Sequence, residues 1–477
     1  MEPAIQLKDR PESKGDYLET ARNLNREWKK LCDRYLPLAP EKSIWRFSRF
    51  SNAQDQEQGW KIHVAATVLS ANRILECVAP ALAEGGYMFK GPASLQELAR
   101  INSGLYYGFS QVGKCITVYP RSADDAVQLA ARLHALTGHL PAPAVPYDRR
   151  YREGSPVHYR YGAFGSLEIE NPDGTRTSAI RNDKNEIVPD RREPGAAVPE
   201  WETDPFAVGA EARALQRLKP TIRPYEALSQ RGKGGVYRAL DLSVIPARHC
   251  VVKEGRRNGE TDWEGRDGYW RVEHEERVLK SLRLAGLEVP RVYSSFRVPN
   301  NYYLAMEFIE GQSLQALLTN SRKKMSIQDA VSYGARLAEL IHKIHSAGWV
   351  WRDCKPLNVI ATGNGTLRPI DFEGACGIDD PDPMPWGTPG YMPPEGEKES
   401  VSGSRAPEDL HALGATLHQL FSGRIPDGNP PTPLGRLRRH IPAEVREVIA
   451  ALLDPVPRFR PVSLSVARTL TGVAGSI

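Results

Sequence analysis

Hydrophobic and polar positions along the first 140 residues change period several times. Leu18, Leu24, Trp28, Leu31 and Leu36 recur at close to helical spacing, which predicts a helix over 15–36. The stretch WKIHVAATVLSANRILECVAPALAEG begins with the alternation of a strand and turns helical through about Glu84. YMFKGP and KCITVYP read as short strands, each ended by proline. DDAVQLAARLHALTG reads as a helix with acidic residues in its first turn and glycine at its end. Strands mixed with helices, without a regular βαβ rhythm, predict an α+β domain. The pattern then fades over 141–204. PAPAVPYDRRYREGSP and PDRREPGAAVPEWETDP are rich in Pro, Arg, Glu and Gly and read as irregular, partly ordered segments around an unusually aromatic HYRYGAFG. The changes of character near residue 205 and Pro220 predict a first domain over 1–205, a linker over 206–220 and a second domain over 221–475.

Composition narrows the class. Hydrophobic residues at 40% and charged residues at 25% exclude a disordered, collagen-like or coiled-coil chain. A formal charge of +5 over 477 residues gives no reason to expect nucleic acid as a partner. The six cysteines stand far apart with no CxxC or CxH pair, which argues against a zinc site or disulfide framework. The N-terminus is polar and lacks the apolar core of a signal peptide. No apolar run reaches the ~18 residues a membrane helix needs. The expectation is a cytoplasmic protein with no membrane contact.

The second half carries phosphoryl-transfer parts in order. In SQRGKGGVYRAL, Gly232, Gly234 and Gly235 would let backbone N–H groups approach a polyphosphate without a side chain in the way. HCVVKEG closes an apolar strand with Lys253. WRDCKPLNVI and LRPIDFEG follow. Asp353 is placed to accept a hydroxyl proton, Lys355 to neutralise a moving phosphoryl group, and Asn358 and Asp371 to offer oxygens to Mg²⁺.

This region resembles the eukaryotic-type protein kinases, with the family's motifs in order over 220–470. The resemblance implies a two-lobed kinase fold. It implies that Lys253 holds the α/β-phosphates, with Glu275 as its helix partner and Glu276 as the fallback. It puts Glu307 at the hinge that holds the purine ring of ATP or GTP. GTPGYMPPE is similar to the end of an activation segment, Asp409 to the family's buried aspartate, and Arg460 to the late arginine that pairs with Glu395. Two positions depart: Trp351 stands where the family has histidine, and Glu373 where it has glycine. Neither removes a chemical group, so catalysis is expected rather than a dead kinase.

In the first half, Lys61 and His63 share one face of a strand-like segment. Lys90 and Lys114 also have apolar neighbours, and a lysine so placed must be desolvated or meet an anion. A desolvated lysine can act as a base. Lys-x-His, the later FK and GK strands, and HYRYGAF before a kinase-like region resemble the lyase–kinase part of class III lanthipeptide synthetases. Their N-terminal domain is similar to phosphothreonine lyases. The resemblance implies Lys90 as α-proton base, His63 as general acid and Lys61 as stabiliser of the enolate-like oxygen, with Lys61 and Lys90 open to exchange as base. It implies Arg121 and Arg160 as a phosphate clamp supported by Lys114.

The expected function is a bifunctional dehydratase. It phosphorylates Ser/Thr of a ribosomal precursor peptide, whose leader docks at the lyase–kinase junction, and then eliminates phosphate to dehydroalanine or dehydrobutyrine. Synthetases of this class continue into a cyclase domain, so ring closure is expected to fall to a separate cyclase partner, to be spontaneous, or not to occur. The alternative is a Ser/Thr kinase whose N-terminal domain only regulates or recruits.

Overall fold

The computed structural model describes residues 17–52, 55–165, 167–206, 221–320, 324–394, 404–428 and 431–476. It has the mixed architecture expected, an α+β unit followed by a two-lobed unit. In the first unit the chain runs α1 (Tyr17–Tyr35), β1 (Trp45–Phe47), β2 (Gln58–Ala65), α2 (Ala71–Glu84), β3 (Met88–Pro92), α3 (Leu95–Ser103), β4 (Lys114–Tyr119), α4 (Ala123–Thr137), β5 (Arg149–Arg150) and β6 (Val157–Ala163). The strands form one antiparallel sheet in the order β1-β3-β4-β2-β6-β5.

Strand alternation gives this sheet two unlike faces. Ile62, Val64, Phe89, Ile116, Val118 and Tyr159 join a core with Ile74, Leu75 and Leu82 of α2 and Leu129 and Leu133 of α4. The opposite face carries polar groups in register. Lys90 pairs with Thr117, Thr117 with His63, His63 with His158, and Lys61 with Arg160. Lys114 reaches this face through a register shift between Val64 and Ala65, which sets Lys114 opposite Ala65.

Within 141–204 the two Pro- and Arg-rich segments hold few regular elements, as expected, and the aromatic run between them forms β6. Every residue of β6 is buried, with Val157, Tyr159 and Tyr161 in the core and His158 and Arg160 on the polar face. The Pro- and Arg-rich flanks masked this two-residue period. Tyr159 stacks on Phe206 with ring centroids 3.8 Å apart. A small antiparallel meander follows, β7 (Glu168–Glu170), β8 (Arg176–Arg181) and β9 (Ile187–Pro189), and it sets down Asp190 directly after β9.

In the second unit, β10 (Ile222–Arg231), β11 (Gly234–Asp241), β12 (Arg248–Gly255), β13 (Val292–Val298) and β14 (Asn301–Glu307) form a sheet in the order β10-β11-β12-β14-β13. Helix α5 (Gly268–Leu284) lies beside β12, its start capped by Asp267 Oδ1, which accepts from Trp270 N at 2.9 Å. A helical lobe follows, built from α6 (Leu314–Thr319), α7 (Ile327–Ser346), α8 (Ala406–Ser422), α9 (Leu434–Leu437), α10 (Ala443–Leu452) and α11 (Ser463–Ala474) around one large core. The functional side chains described below lie between the two lobes.

The two units touch at the β10–β11 turn and at the segment after β12. Gly232 N donates to Ser103 O at the end of α3 (3.1 Å), and Asn258 Nδ2 donates to Ala142 O (3.2 Å). A Cβ on Gly232 would stand 1.6 Å from Asn102 O, so the approach requires glycine. Gly232→Ala is therefore expected to part the turn from α3. Amide exchange at residues 102–104 and 232–235 should quicken roughly tenfold, the loss of about one hydrogen bond. Unchanged exchange would show that this contact does not hold the units together.

Candidate active sites

The kinase-like constellation assembles around Lys253. β12 pairs it with Val236 of β11 and Leu304 of β14 and points it between the lobes. Its Nζ donates to both Glu275 oxygens (2.8 and 2.7 Å) and to Asp371 Oδ1 (2.7 Å). Burial works against the ammonium, but Asp371 and Glu275 outweigh it and hold Lys253 charged above its ordinary range. Glu276, the fallback, instead accepts from Tyr302 and Ser295 and pairs with Lys280.

Asp353 sits in a second cluster. Lys355 Nζ and Asn358 Nδ2 both donate to its Oδ2 at 2.7 Å, and Thr388 Oγ1 donates to its Oδ1 at 2.8 Å. Asn358 makes its two hydrogen bonds to Asp353 through Nδ2, and these leave its amide oxygen unused. With the Asp371 carboxylate it gives an all-oxygen donor pair, the set that suits Mg²⁺ bound mainly through substrate phosphates. Thr388 lies in the GTPGYMPPE segment, but the sequence reading gave it no role.

Both departures from the kinase pattern have a structural counterpart. Trp351 is fully buried, stacks on Phe372 (5.4 Å) and donates Nε1–H to Asp371 O at 3.0 Å. That bond, with Phe372 N to Glu275 Oε1 (3.1 Å), holds Asp371 at φ 67°, a left-handed backbone costly for a side chain of this kind. Arg352, at φ 68°, is fixed by Asp409 Oδ1 on its N–H (2.6 Å) and by Glu408 on its guanidinium (2.8 Å). Glu373 is buried and accepts from Lys233 Nζ at the β10–β11 turn.

The structure adds detail at three further groups of residues singled out by the sequence. The Gly232 N–H is committed to Ser103, so close approach to α3, rather than an open phosphate cradle, is what the structure asks of this glycine. Gly234 and Gly235 follow as the first residues of β11; a Cβ on Gly234 would fall 1.7 Å from Glu254 O. The Glu307 carboxylate is held by Arg368 through both its oxygens (2.6 and 2.8 Å), which leaves the backbone of this position for the hinge role. Arg460 donates to Asp454 O and Pro407 O, while its expected partner Glu395 lies outside the described residues.

On the first unit's polar face, the structure brings Lys61, His63, Lys90, Lys114 and Arg160 together. Two carboxylates organise them, and the sequence reading missed both. Asp148 has a fully buried side chain and lies 2.5 Å from His63 Nδ1, 3.7 Å from Lys114 Nζ and 4.0 Å from Arg160 Nε. Asp190 accepts from Arg160 at 2.6 and 3.3 Å and stands 3.9 Å from Lys61 Nζ and from the Arg192 guanidinium. Each aspartate lies in a Val-Pro run followed by Asp-Arg-Arg, VPYDRR and VPDRR, a repeat that could have flagged them.

The charges show how crowded this face is. Burial, then the charges of Lys114 and Arg192, lowers Lys90 to about 8. Burial lowers Lys114 to about 8 as well, partly opposed by Asp148. Burial also takes Lys61 well below its usual value, against the pull of Asp190. His63 falls to about 3, through burial and the cations Lys114 and Lys61, despite Asp148. Lys90 Nζ lies 4.5 Å from the Trp45 ring centroid. Arg121 does not join the cluster. Its Nη2 donates to Gly85 O (2.6 Å) just past α2, and its guanidinium lies over Tyr87. Arg192 takes up the neighbourhood expected for it.

Comparison with known proteins bears on both clusters. Residues 38–217 match the family model described as RamC, N-terminal domain, and residues 227–452 match that of the protein kinase domain. The chain is 28% identical over 451 residues to a probable SapB synthase of Streptomyces coelicolor, covering 91% of this chain and 46% of that protein. It is 30% identical over 212 residues to 3-phosphoinositide-dependent protein kinase 1 of Arabidopsis thaliana, 40% of this chain and 42% of that protein. It is 29% identical over 252 residues to the serine/threonine-protein kinase AfsK of Streptomyces coelicolor, 50% and 30% of the two chains. The chain thus spans less than half the length of these curated relatives. Among the described residues no helix is long and apolar enough to cross a membrane. The Lys253 and Asp353 clusters therefore lie within the matched kinase domain and the Lys61–Arg160 face within the matched N-terminal one, so the chain joins a RamC-type N-terminal domain to a protein kinase domain.

Proposed function

We propose that this chain dehydrates Ser and Thr of a precursor peptide in two steps, phosphorylation between the kinase lobes and phosphate elimination on the N-terminal polar face. In this reading residues 1–205 eliminate, 206–220 connect and 221–475 phosphorylate. The observation that carries it is the convergence of buried lysines, His63 and Arg160 on one face of a domain joined to a kinase. Similarity to a SapB synthase over nearly the whole chain supports a peptide substrate of the lanthipeptide-precursor class.

In the first step the Asp353 carboxylate takes the hydroxyl proton as the oxygen bonds to the γ-phosphorus and the nucleoside diphosphate departs. Lys355, between Asp353 and Thr388, lies where it offsets the charge of the transferring group. Lys253 holds the phosphates. Asn358 and Asp371 would hold the divalent cation, which supplies charge neutralisation when bound.

In the second step neutral Lys90 removes the α-proton, the Cα–H electrons form the Cα=Cβ bond, and the Cβ–O bond breaks to release phosphate. Lys61 faces the charge that develops on the carbonyl oxygen. Arg160, Lys114 and Arg192 hold the phosphate. Its dianion offsets the cations that depress His63, which then carries the proton delivered to the leaving oxygen. Asp148 fixes the His63 ring through Nδ1. Lys90 is preferred to Lys61 as base because Lys61 stands against Asp190 and Arg160, whereas burial and neighbouring cations lower Lys90 to about 8.

Mass spectrometry of a candidate precursor incubated with triphosphate and Mg²⁺ tests the two steps. The native chain should remove one water per modified residue. Asp353→Asn should leave the peptide unmodified, with phosphorylation slowed roughly 10²–10⁴-fold. His63→Ala should accumulate phosphopeptide. If His63→Ala still dehydrates normally, the N-terminal half of the proposal fails and a kinase with a recruiting domain stands in its place.

Elimination from a synthetic phosphopeptide should speed up as pH rises to about 8 and then level off, because Lys90, lowered to about 8, works as the free amine. Lys90→Arg should abolish this limb; its survival would move the base to Lys61.

Asp190→Ala would leave Arg160 and Lys61 buried without their carboxylate. Denaturant unfolding of the N-terminal unit should show a loss of about 3–5 kcal/mol. A loss within error of zero would mean that water or another group replaces Asp190.

A further inference from the structure

The kinase reading leaves Lys233 and Glu373 without roles. Lys233 occupies the β10–β11 turn between Gly232 and Gly234, and Glu373 follows Asp371 by two residues, where the kinase pattern has glycine. Their side chains are bonded to each other across the cleft, Lys233 Nζ to Glu373 Oε1, with Lys233 partly exposed and Glu373 buried. The turn that carries Lys233 is clamped from both sides. Gly232 N donates to Ser103 O (3.1 Å), and Lys233 O accepts from Arg256 N (2.8 Å). A Cβ on Gly268 would stand 1.8 Å from Lys233 O, so β12 and α5 leave this backbone no room to shift.

The charges around Asp371 pair off. Lys253 is bonded to Glu275 and Asp371, and Lys355 to Asp353. Lys233, the third lysine whose charge acts on Asp371, is bonded to Glu373. A glutamate at 373 without Lys233 would add a negative charge beside Asp371 and repel a polyphosphate. With Lys233 the pair is neutral, and its cationic member is the one carried on the turn over the phosphate site. The Gly232 N–H is committed to Ser103, so this turn offers a side-chain cation where a bare backbone amide would otherwise serve.

We propose that Lys233 is a phosphate-binding residue for the nucleoside triphosphate and that Glu373 is the positioning residue that holds it over the cleft. This rests on the kinase reading of the same site. The test is equilibrium titration of the full chain with ATP and with adenosine, each with Mg²⁺, for the native protein, Lys233→Met, Lys233→Arg, Glu373→Gln and the Lys233→Met/Glu373→Gln double variant. Lys233→Met should weaken ATP about tenfold or more and change adenosine by less than about twofold, since only the phosphates meet the ammonium. Lys233→Arg should restore most of the loss. Glu373→Gln should weaken ATP in the native background and add nothing to Lys233→Met.

Equal ATP affinity in native and Lys233→Met proteins overturns the assignment. So does a parallel loss of ATP and adenosine, which marks a collapsed turn. If Glu373→Gln raises the Mg²⁺ requirement equally in both backgrounds, Glu373 is a metal ligand and its positioning role is wrong. A native chain that takes up neither ATP nor GTP overturns the kinase reading itself, and this assignment with it.

Discussion

Two buried aspartates make the N-terminal polar face possible. Lys61, Lys114 and Arg160 are each buried on the same side of one sheet, with His63 among them. Such a cluster would repel itself apart without countercharge, because burial makes each unpaired cation costly. Asp148 answers His63, Lys114 and Arg160; Asp190 answers Arg160, Lys61 and Arg192. The fold brings both in from outside the strands that carry the cations. Asp148 comes from the segment before β5, and Asp190 from the end of the β7–β9 meander. The meander thus has a concrete task, since Asp190 N is itself tied to Ser178 O of β8 at 2.8 Å.

The contact between the two units runs through the same structure. Asn102 is buried at the end of α3. Its side chain donates to Ala66 O, just beyond β2, and accepts from Gly113 N, beside Lys114. Its own carbonyl abuts Gly232, whose N–H is bonded to Ser103. One short piece of chain therefore supports a cation of the N-terminal face and the turn above the kinase cleft.

Strand and helix periods made most of the fold legible. Lys-x-His announced one face of β2, and the ordered kinase motifs placed Lys253, Asp353, Asn358 and Asp371 before any coordinates. What remained hidden has physical causes. β6 alternates, but its Pro- and Arg-rich flanks read as loop. Lys114 reaches the polar face through a bulge, which strand alternation alone does not foresee. Asp148 and Asp190 stand in proline-containing connections, where a carboxylate looks like surface until the chain folds it under the sheet. The resemblance alone put Arg121 in the phosphate clamp; its guanidinium instead meets the carbonyl of Gly85, just past α2. The sequence assigned the tryptophan at 351 no task; its indole N–H holds the Asp371 carbonyl.

The two clusters use the same residue types for opposite ends, and the ratio of carboxylates to cations decides which. Between the kinase lobes Lys253 is bonded to Glu275 and Asp371, and it stays charged despite burial. A permanent cation is what phosphate binding requires. On the N-terminal face Lys61, Lys114, Arg160 and Arg192 share Asp148 and Asp190, and burial, reinforced by neighbouring cations, drives Lys61, Lys90 and Lys114 toward the neutral amine. Each cation there disfavours its neighbour's charge, so proton release from one is aided by the others. In the proposed elimination a phosphorylated residue entering this face would supply negative charge at its phosphate, and Lys90, lowered by burial and then by its neighbouring cations, would accept the proton. The same excess of cations would bind the leaving group and add to the effect of burial on the base.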